Sequence, residues 1–487
     1  MSDPVLVEVN APDLATKQIA FRRKGEARIL TISSNLLVLF GFEKGDPVTE
    51  TSRGKGKGVI IERASDLFSD RPVKRVYGRH YPRRRNNPFE HQLEVASQKL
   101  INEAFPAECT RVHVLFEPNR VTVTPIVTIA EKAHANAHKA DPDSVFAALT
   151  SGVDLVSMRQ EGFSISAVLE WRPPESRDKQ DLSETGMMTA LANSGPLHAV
   201  FNEDITSCVL DTIASALERS PPMILHASPQ CDDHSSLKAK SLKEEAEENA
   251  TSTADMILDL LAIVERIATP VVVLENVPGM IGSAAYEVAS LRLRRWGYKR
   301  YEHVGDARDY GGLTPRRRAY VVFTTLDAPF TFEEPSHTRE RDPWAVVQPY
   351  LDQCRDVSHS KSLQDGKACG RLRAIKPDSK SLPTPVKSIA RMAKDSVVIE
   401  PEKGKFLFPN EDLFKHLLGI EDVDLNAVSA TIATEVIGQS IDRYHHAMVM
   451  RSVRQHIADW QANVRSKILV VSQVEKFAVS LSTKQGN

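Results

Sequence analysis

The chain has 487 residues, of which 41% are hydrophobic and 26% charged, and its net charge is −2 at neutral pH. That length suits two or three domains, and no apolar run reaches the roughly 20 residues that a membrane-spanning helix needs. A near-neutral charge excludes a globally basic nucleic-acid binder, so any polyanion site has to be a local patch. Cys109, Cys208, Cys231, Cys354 and Cys369 are scattered without a Cys-x-x-Cys pair. That spacing argues against a structural metal site or a disulfide framework. The Met1-Ser2-Asp3-Pro4 start has no signal-peptide pattern, and the expected location is the cytoplasm.

The first 70 residues read as β-rich. Ala27–Ile32 is an expected strand, Phe40–Val48 holds a short helix end and a Gly45-Asp46 turn, and Gly54–Gly58 is a turn leading into Val59-Ile60-Ile61. This order resembles the AbrB-type swapped-hairpin DNA-binding fold, which implies a homodimer; an ordinary small β-barrel fits the pattern as well. Next, Lys74, Arg75, Arg79, Arg83, Arg84 and Arg85 are interleaved with Tyr77 and Tyr81. Cations among tyrosines suit phosphate contact with base stacking, and the plain alternative is a solvated basic linker. Phe89–Phe105 reads as an amphipathic helix, Val112–Phe116 with Val121–Thr124 as a hairpin, and 126–160 as helical. The accessory region is therefore expected to end near residue 160.

From Phe163 the pattern changes. Ile165–Leu169, Ala199–Phe201, Met223–Ala227 and Val271–Leu274 are short, apolar and β-branched, and helical stretches at Thr185–Asn193, Val209–Glu218 and Ser252–Ile267 separate them. The expected fold class is α/β, with a doubly wound, mostly parallel sheet over residues 161–326. A small region at 327–400 follows, then 401–465 completing the core and a tail at 466–487. In such sheets ligands bind beyond the carboxyl ends of the strands. Cys231 and Glu275 each lie just past a strand end, so the two are expected on one rim.

Cys231 sits in Ser228-Pro229-Gln230-Cys231-Asp232-Asp233-His234-Ser235, and Glu275 in Leu274-Glu275-Asn276-Val277-Pro278-Gly279. A thiol and an acid in this order resemble the DNA (cytosine-5) methyltransferase family, in which a Pro-Cys loop supplies the nucleophile and a Glu-Asn-Val loop the acid. The resemblance implies a Rossmann-like class I methyltransferase fold, S-adenosylmethionine as cofactor and double-stranded DNA as partner. It also implies a cytosine flipped out of the duplex and attacked at C6 by the Cys231 thiolate, which makes C5 nucleophilic toward a methyl group. Asp232 and Asp233 tend to raise the thiol pKa, so compensating cations are expected nearby.

Downstream, Tyr310-Gly311-Gly312-Leu313-Thr314-Pro315-Arg316-Arg317-Arg318 resembles the family's Tyr-Gly-x-x-Gln-x-Arg-x-Arg motif, with Thr314 in place of glutamine. Arg316 and Arg318 fall on its two arginines. One is expected to support the flipped base and the nucleophile loop, the other the neighbouring phosphate. Ile437-Gly438-Gln439-Ser440 resembles the family's last motif, with Gln439 where asparagine is usual. The expected cofactor loop is Asp181-Leu182-Ser183-Glu184-Thr185-Gly186, with Asp181 and Gly186 in the glycine-rich motif's place, and Glu203 and Asp204 for ribose hydroxyls. This loop has one glycine where the family has three. That departure keeps open a degenerate methyltransferase acting as a DNA-binding regulator, beside an RNA cytosine-5 methyltransferase. The small 327–400 region leads us to expect DNA affinity from residues 1–160. A restriction partner stays open.

Overall fold

The computed structural model describes residues 10–64, 73–84, 89–107, 109–174, 178–235, 238–335, 342–387 and 392–484. The chain divides into two compact units, residues 1–131 and 132–487.

The first unit is built from two antiparallel sheets. One orders strands Ala15–Ala20, Arg111–Glu117, Arg120–Ile126, Val59–Arg63, Pro47–Ser52 and Val73–Arg75; the other orders Arg22–Lys24, Ala27–Ser33, Phe89–Val95 and Tyr77–His80. Alternation of apolar residues fills a core of Leu30, Ile32, Phe40, Phe42, Val59, Ile61, Phe116, Val121 and Val123. The expected strand, helix at Leu36–Leu39, Gly45-Asp46 turn and hairpin are all present. Both hairpin strands have partners within the chain, Pro47–Thr49 to Val73–Arg75 and Val59–Glu62 to Arg120–Val123. The expected helix over Phe89–Phe105 is corrected: Phe89–Val95 is a strand and only Gln98–Ala104 is helical. Phe89, His91, Leu93 and Val95 give that stretch a period of two, which the longer apolar pattern obscures.

The second unit is organised by one seven-stranded sheet. We number its strands β1 (Ser144–Ala148), β2 (Ser164–Leu169), β3 (Ala199–Phe201), β4 (Ile224–Ala227), β5 (Val271–Asn276), β6 (Lys299–Asp306) and β7 (Arg317–Thr324). The order across the sheet is β3-β2-β1-β4-β5-β7-β6. All neighbours are parallel except at β7, which runs antiparallel to both β5 and β6. The expected α/β, doubly wound, mostly parallel sheet is observed. Helices α1 (Val153–Gln160), α2 (Thr185–Ser194), α3 (Leu210–Leu217), α4 (Lys240–Glu248), α5 (Met256–Ile267), α6 (Ala284–Arg295), α7 (Ala430–Gln439) and α8 (Arg443–Lys484) surround it or extend from it. Val145, Ala147, Ile165, Val168, Ile224, Val271, Val273 and Val322 pack against Leu155, Met158, Met448, Val449, Val453 and Ile457.

The expectation of helix throughout 126–160 fails at its centre, because Ser144–Ala148 is the middle strand β1, buried at every position. It pairs with β2 on one side and β4 on the other. A five-residue apolar run carries no period that separates a fully buried strand from a helix. The sheet therefore starts before residue 161. Residues 327–400 are corrected too: Arg355–Asp356, Arg373–Ile375, Val397–Ile399 and Leu407–Phe408 make a four-stranded sheet that runs past residue 400.

Gly152 joins β1 to α1 with φ of +78°, and a Cβ there would lie 2.6 Å from the Ala190 amide nitrogen and 2.7 Å from the Thr189 carbonyl carbon. Only glycine lets α2 approach this closely. Gly152→Ala is therefore expected to cost roughly 2 kcal/mol or more. Thermal unfolding should show a lower Tm, and an unchanged Tm would contradict the packing described.

Candidate active site

The order reversal at β1, with β2 on one side and β4 on the other, is where an open sheet leaves a crevice beyond its carboxyl ends. A cavity of about 400 Å³ lies there. Its walls come from the segments after β1 (Leu149, Thr150, Ser151), β2 (Glu170, Trp171), β3 (Asp204, Ile205), β4 (Ser228 to Cys231) and β5 (Glu275), with Arg318 from β7 and Glu435 and Gln439 from α7. Residues Ala250–Thr253 and Met256 close a further side.

Cys231 and Glu275 are brought to this cavity by adjacent strands whose loops are tied together. Asn276, fully buried, donates from Nδ2 to the Pro229 carbonyl at 3.0 Å. Gly279 passes so close to the Cys231 loop that a Cβ would stand 2.2 Å from the His234 carbonyl oxygen. The far side of the loop is held by Asp233, which accepts from Lys238 Nζ and from the Thr253 amide at 2.8 Å and hydroxyl at 2.9 Å. Burial works against that carboxylate, yet the bonds from Lys238 and Thr253 hold it below its ordinary range.

The expected cations are present. Because β7 is antiparallel, its first residues lie beside the last residues of β5, with Ala319 opposite Asn276 and Tyr320 opposite Glu275. Arg318 Nε stands 2.8 Å from Glu275 Oε1. Burial pushes the Glu275 carboxyl up, and Arg318 and Arg316 pull it back. The Cys231 thiol is likewise raised by burial, lowered by Arg318, and raised by Glu275 and Asp232. Arg316 has a different post. Its side chain is buried and donates to the carbonyls of Pro385, Gly438 and Ser440. Burial and the Arg318 charge lower its pKa to about 9. A guanidinium so enclosed is not open to a phosphate, so the phosphate contact foreseen for one of the pair is not available to Arg316. It ties the start of β7 to the end of α7, beside Gln439.

The residues expected to hold a cofactor are placed differently from the sequence expectation. Asp181 is exposed and caps its own turn by accepting from the Ser183 amide at 2.9 Å. It is not among the cavity-lining residues, whereas Gly186 is. Glu203 accepts from the Val209 amide at 2.8 Å and is also outside the lining, while its neighbour Asp204 is inside. Both acids follow β3. The carboxylate directly after β2 is Glu170, which the sequence reading missed. Glu170 Oε1 accepts from the Thr150 amide at 2.6 Å and the Thr150 hydroxyl at 2.7 Å, so it also fixes the loop after β1. Burial lifts its pKa to about 7, against the pull of the Thr150 bonds. A Cβ on Gly186 would stand 3.2 Å from Glu170 Oε2. Glycine there leaves space beside the carboxylate. The signal available in the sequence was an acid at the end of one apolar strand, 20 residues after a Thr-Ser-Gly turn that ends another.

In the first unit, Lys74 is held by both Glu50 oxygens at 2.9 Å, and Arg75 donates to the Gly45 carbonyl at 2.8 Å. Arg79, Arg83 and Arg84 are exposed. Arg84 stacks over the Tyr81 ring at 3.9 Å and Arg79 at 5.0 Å, and His80 stacks on Phe89 at 4.7 Å. Arg85 lies outside the described residues.

Residues 198–412 match the family model for C-5 cytosine-specific DNA methylase. Solved structures similar to this chain include the Entamoeba histolytica methyltransferase EhMeth, at 16% identity over 64% of this chain and 97% of that one, with a TM-score of 0.48. They also include the S. pombe Dnmt2 methyltransferase, at 13% identity over 64% and 98%, with a TM-score of 0.47. A Spodoptera frugiperda DNMT2 mutant matches at 12% identity over 64% and 99%, with a TM-score of 0.46. No curated protein matches the chain.

Since Arg318 draws down both acids, Arg318→Gln is expected to move the pH profile of Cys231 alkylation upward. Removing a neighbouring cation leaves the thiolate less favoured, so at pH 8 the rate should fall roughly tenfold for a shift of about one unit. A profile that stayed put, or moved to lower pH, would contradict the electrostatics described.

Proposed function

We propose that the activity is methylation of cytosine C5 in DNA through a covalent bond from Cys231, in keeping with the match of residues 198–412 to the C-5 cytosine-specific DNA methylase model. The observation that carries this reading is the shared cavity. At one end Cys231 and Glu275 are cross-tied and neutralised by Arg318; at the other stand Thr150, Glu170, Gly186 and Asp204.

The chemistry follows from the residues. Cytosine C5 is a poor nucleophile until a thiolate adds at C6 and breaks the aromatic system. Cys231, with Arg318 and Arg316 favouring its anion, is the group placed to add. Glu275 keeps its proton more readily than an exposed carboxyl because it is buried, which suits it to protonate the ring at N3 as the thiolate adds. Its ion pair with Arg318 holds it in one orientation. Release requires loss of the C5 proton and departure of the thiolate, and the same cations stabilise that leaving group.

The other end fits S-adenosylmethionine. Glu170 stands where a ribose diol is held in such sheets, and Gly186 leaves the space a side chain would fill. Asp204 and Ile205 offer a carboxylate for an exocyclic amine and an apolar wall for a purine. When bound, the cofactor supplies an electrophilic methyl group. A cavity walled by residues 149–151 and 170 supports the enzymatic reading over the degenerate one, which rested on the single glycine at 181–188, Thr314 in glutamine's place and the AbrB-like region.

We assign nucleic-acid affinity in part to Tyr77–Arg84, where exposed Arg79 and Arg84 lie over Tyr81, Arg84 also pairing with Glu90 at 3.4 Å on the surface, and Arg83 is exposed beside them in sequence. Lys74 and Arg75 are occupied within the unit and are left out of this surface. Arg79→Ala with Arg84→Ala should weaken duplex binding at low salt and reduce the slope of log K against log salt by about 2. An unchanged slope would remove this edge from the interface.

The activity is tested by nucleoside mass spectrometry on DNA and RNA from cells expressing the wild type or Cys231→Ser. New 5-methyldeoxycytidine that disappears in the variant is expected. Modified RNA with unmodified DNA would move the substrate to RNA, and no modified base in either would overturn the enzymatic reading.

A further inference from the structure

From the cavity wall, which Asp154 and Ser228 help line, a chain of buried polar side chains that the chemistry above does not use runs into the core. Asp154, in the first turn of α1, accepts from Ser228 Oγ at 2.7 Å. The same oxygen, Asp154 Oδ2, stands 3.8 Å from Nδ1 of His226, in β4, too far for a hydrogen bond. His226 Nε2 is 2.9 Å from Nε2 of His446, in α8, and His446 Nδ1 is 2.8 Å from Ser157 Oγ. Ser157 is back on α1, one turn beyond Asp154. The contacts therefore form an open ring, unbonded between Asp154 and His226, that starts and ends on α1 and passes through β4 and α8.

Buried polar groups are costly unless paired, so a ring of this kind destabilises the core if any member moves away. Asp154, Ser157, His226 and His446 are each at most 2% exposed. The ring resists independent sliding of the three elements. It meets the Cys231 turn at Ser228, which follows β4, opens the Ser-Pro-Gln-Cys turn and also hydrogen-bonds Glu275. Its other landmark is the start of α1, which continues directly from the cavity-lining residues Leu149–Ser151.

We propose that Asp154 is a positioning residue that links the cofactor end of the cavity to the nucleophile, setting through Ser228 the posture of the Cys231 loop. The link rests on reading residues 149–151 and Glu170 as the cofactor end. A ligand settling there bears on the loop that leads into α1. The hydrogen bond from Ser228 to Asp154 passes that displacement to the turn carrying the thiol. An amide keeps the acceptor oxygen that Ser228 uses, while a leucine of similar size does not.

The test reads Cys231 directly. Full-length protein is alkylated with iodoacetamide in the presence and absence of S-adenosylhomocysteine, and each cysteine is quantified by peptide mass spectrometry, exposed Cys369 serving as internal reference. In the wild type the analogue should change the Cys231 rate at least fivefold. Ser228→Ala and Asp154→Leu should reduce that change below twofold while calorimetry still shows the analogue bound, and Asp154→Asn should retain it. The two variants should also shift the rate without analogue by threefold or more. Retention of the full change in Ser228→Ala overturns the proposal, as does an Asn variant that fails as badly as Leu. If the wild type does not bind the analogue, the cofactor reading fails. The ligand-free rate then decides the positioning claim, and values within twofold of wild type for both Ser228→Ala and Asp154→Leu overturn it.

Discussion

The site depends on one inversion in the sheet. Strand β7 is inserted antiparallel between β5 and β6, and this alone puts the residues at its start beside the residues at the end of β5. A parallel strand there would carry Arg318 to the opposite rim. As built, Glu275 emerges into a cavity already supplied with a guanidinium at 2.8 Å. Removing one partner of a buried ion pair typically costs about 3–5 kcal/mol, because the other charge is stranded. The pair therefore constrains the structure as well as the chemistry. Glu275 can be buried because Arg318 is there, and Cys231 can sit beside two carboxylates because the same arginine offsets them.

Much of this architecture was legible in the sequence. Runs such as Val271–Leu274 and Met223–Ala227, each ending in a polar turn, specify buried parallel strands, and the residues just past them fall on one rim. Cys231, Glu275 and Arg318 each follow or begin such a strand, and the structure brings them to a common cavity. The expectation of cations beside Cys231 came from simple electrostatics, since Asp232 and Asp233 would otherwise disfavour the thiolate.

The end of the cavity beyond β1 and β2 was hidden for physical reasons. Strand β1 is short and buried on both faces, so it shows no alternation, and its Ala-Ala ending reads equally as helix. Once β1 is lost, β2 is counted as the first strand and every later acid moves by one place. Glu203 and Asp204 were then assigned to the position after the second strand, which Glu170 occupies. Arg316 failed differently. Its role depends on carbonyls of Pro385, Gly438 and Ser440, which are distant in sequence and come together only in the folded chain. The AbrB-like element order was correct locally, but the partners of its hairpin strands lie further along the same chain.

The central claim is that Cys231 forms a bond to a cytosine ring poised by Glu275. The most direct measurement is trapping on duplex DNA containing 5-fluorodeoxycytidine, where the fluorine cannot leave as a proton does and the protein should remain attached. With S-adenosylmethionine present, a covalent complex stable to denaturation is predicted, and peptide mapping should place the bond on Cys231. A complex through another residue, or none on DNA under conditions in which duplex is bound, would contradict the account.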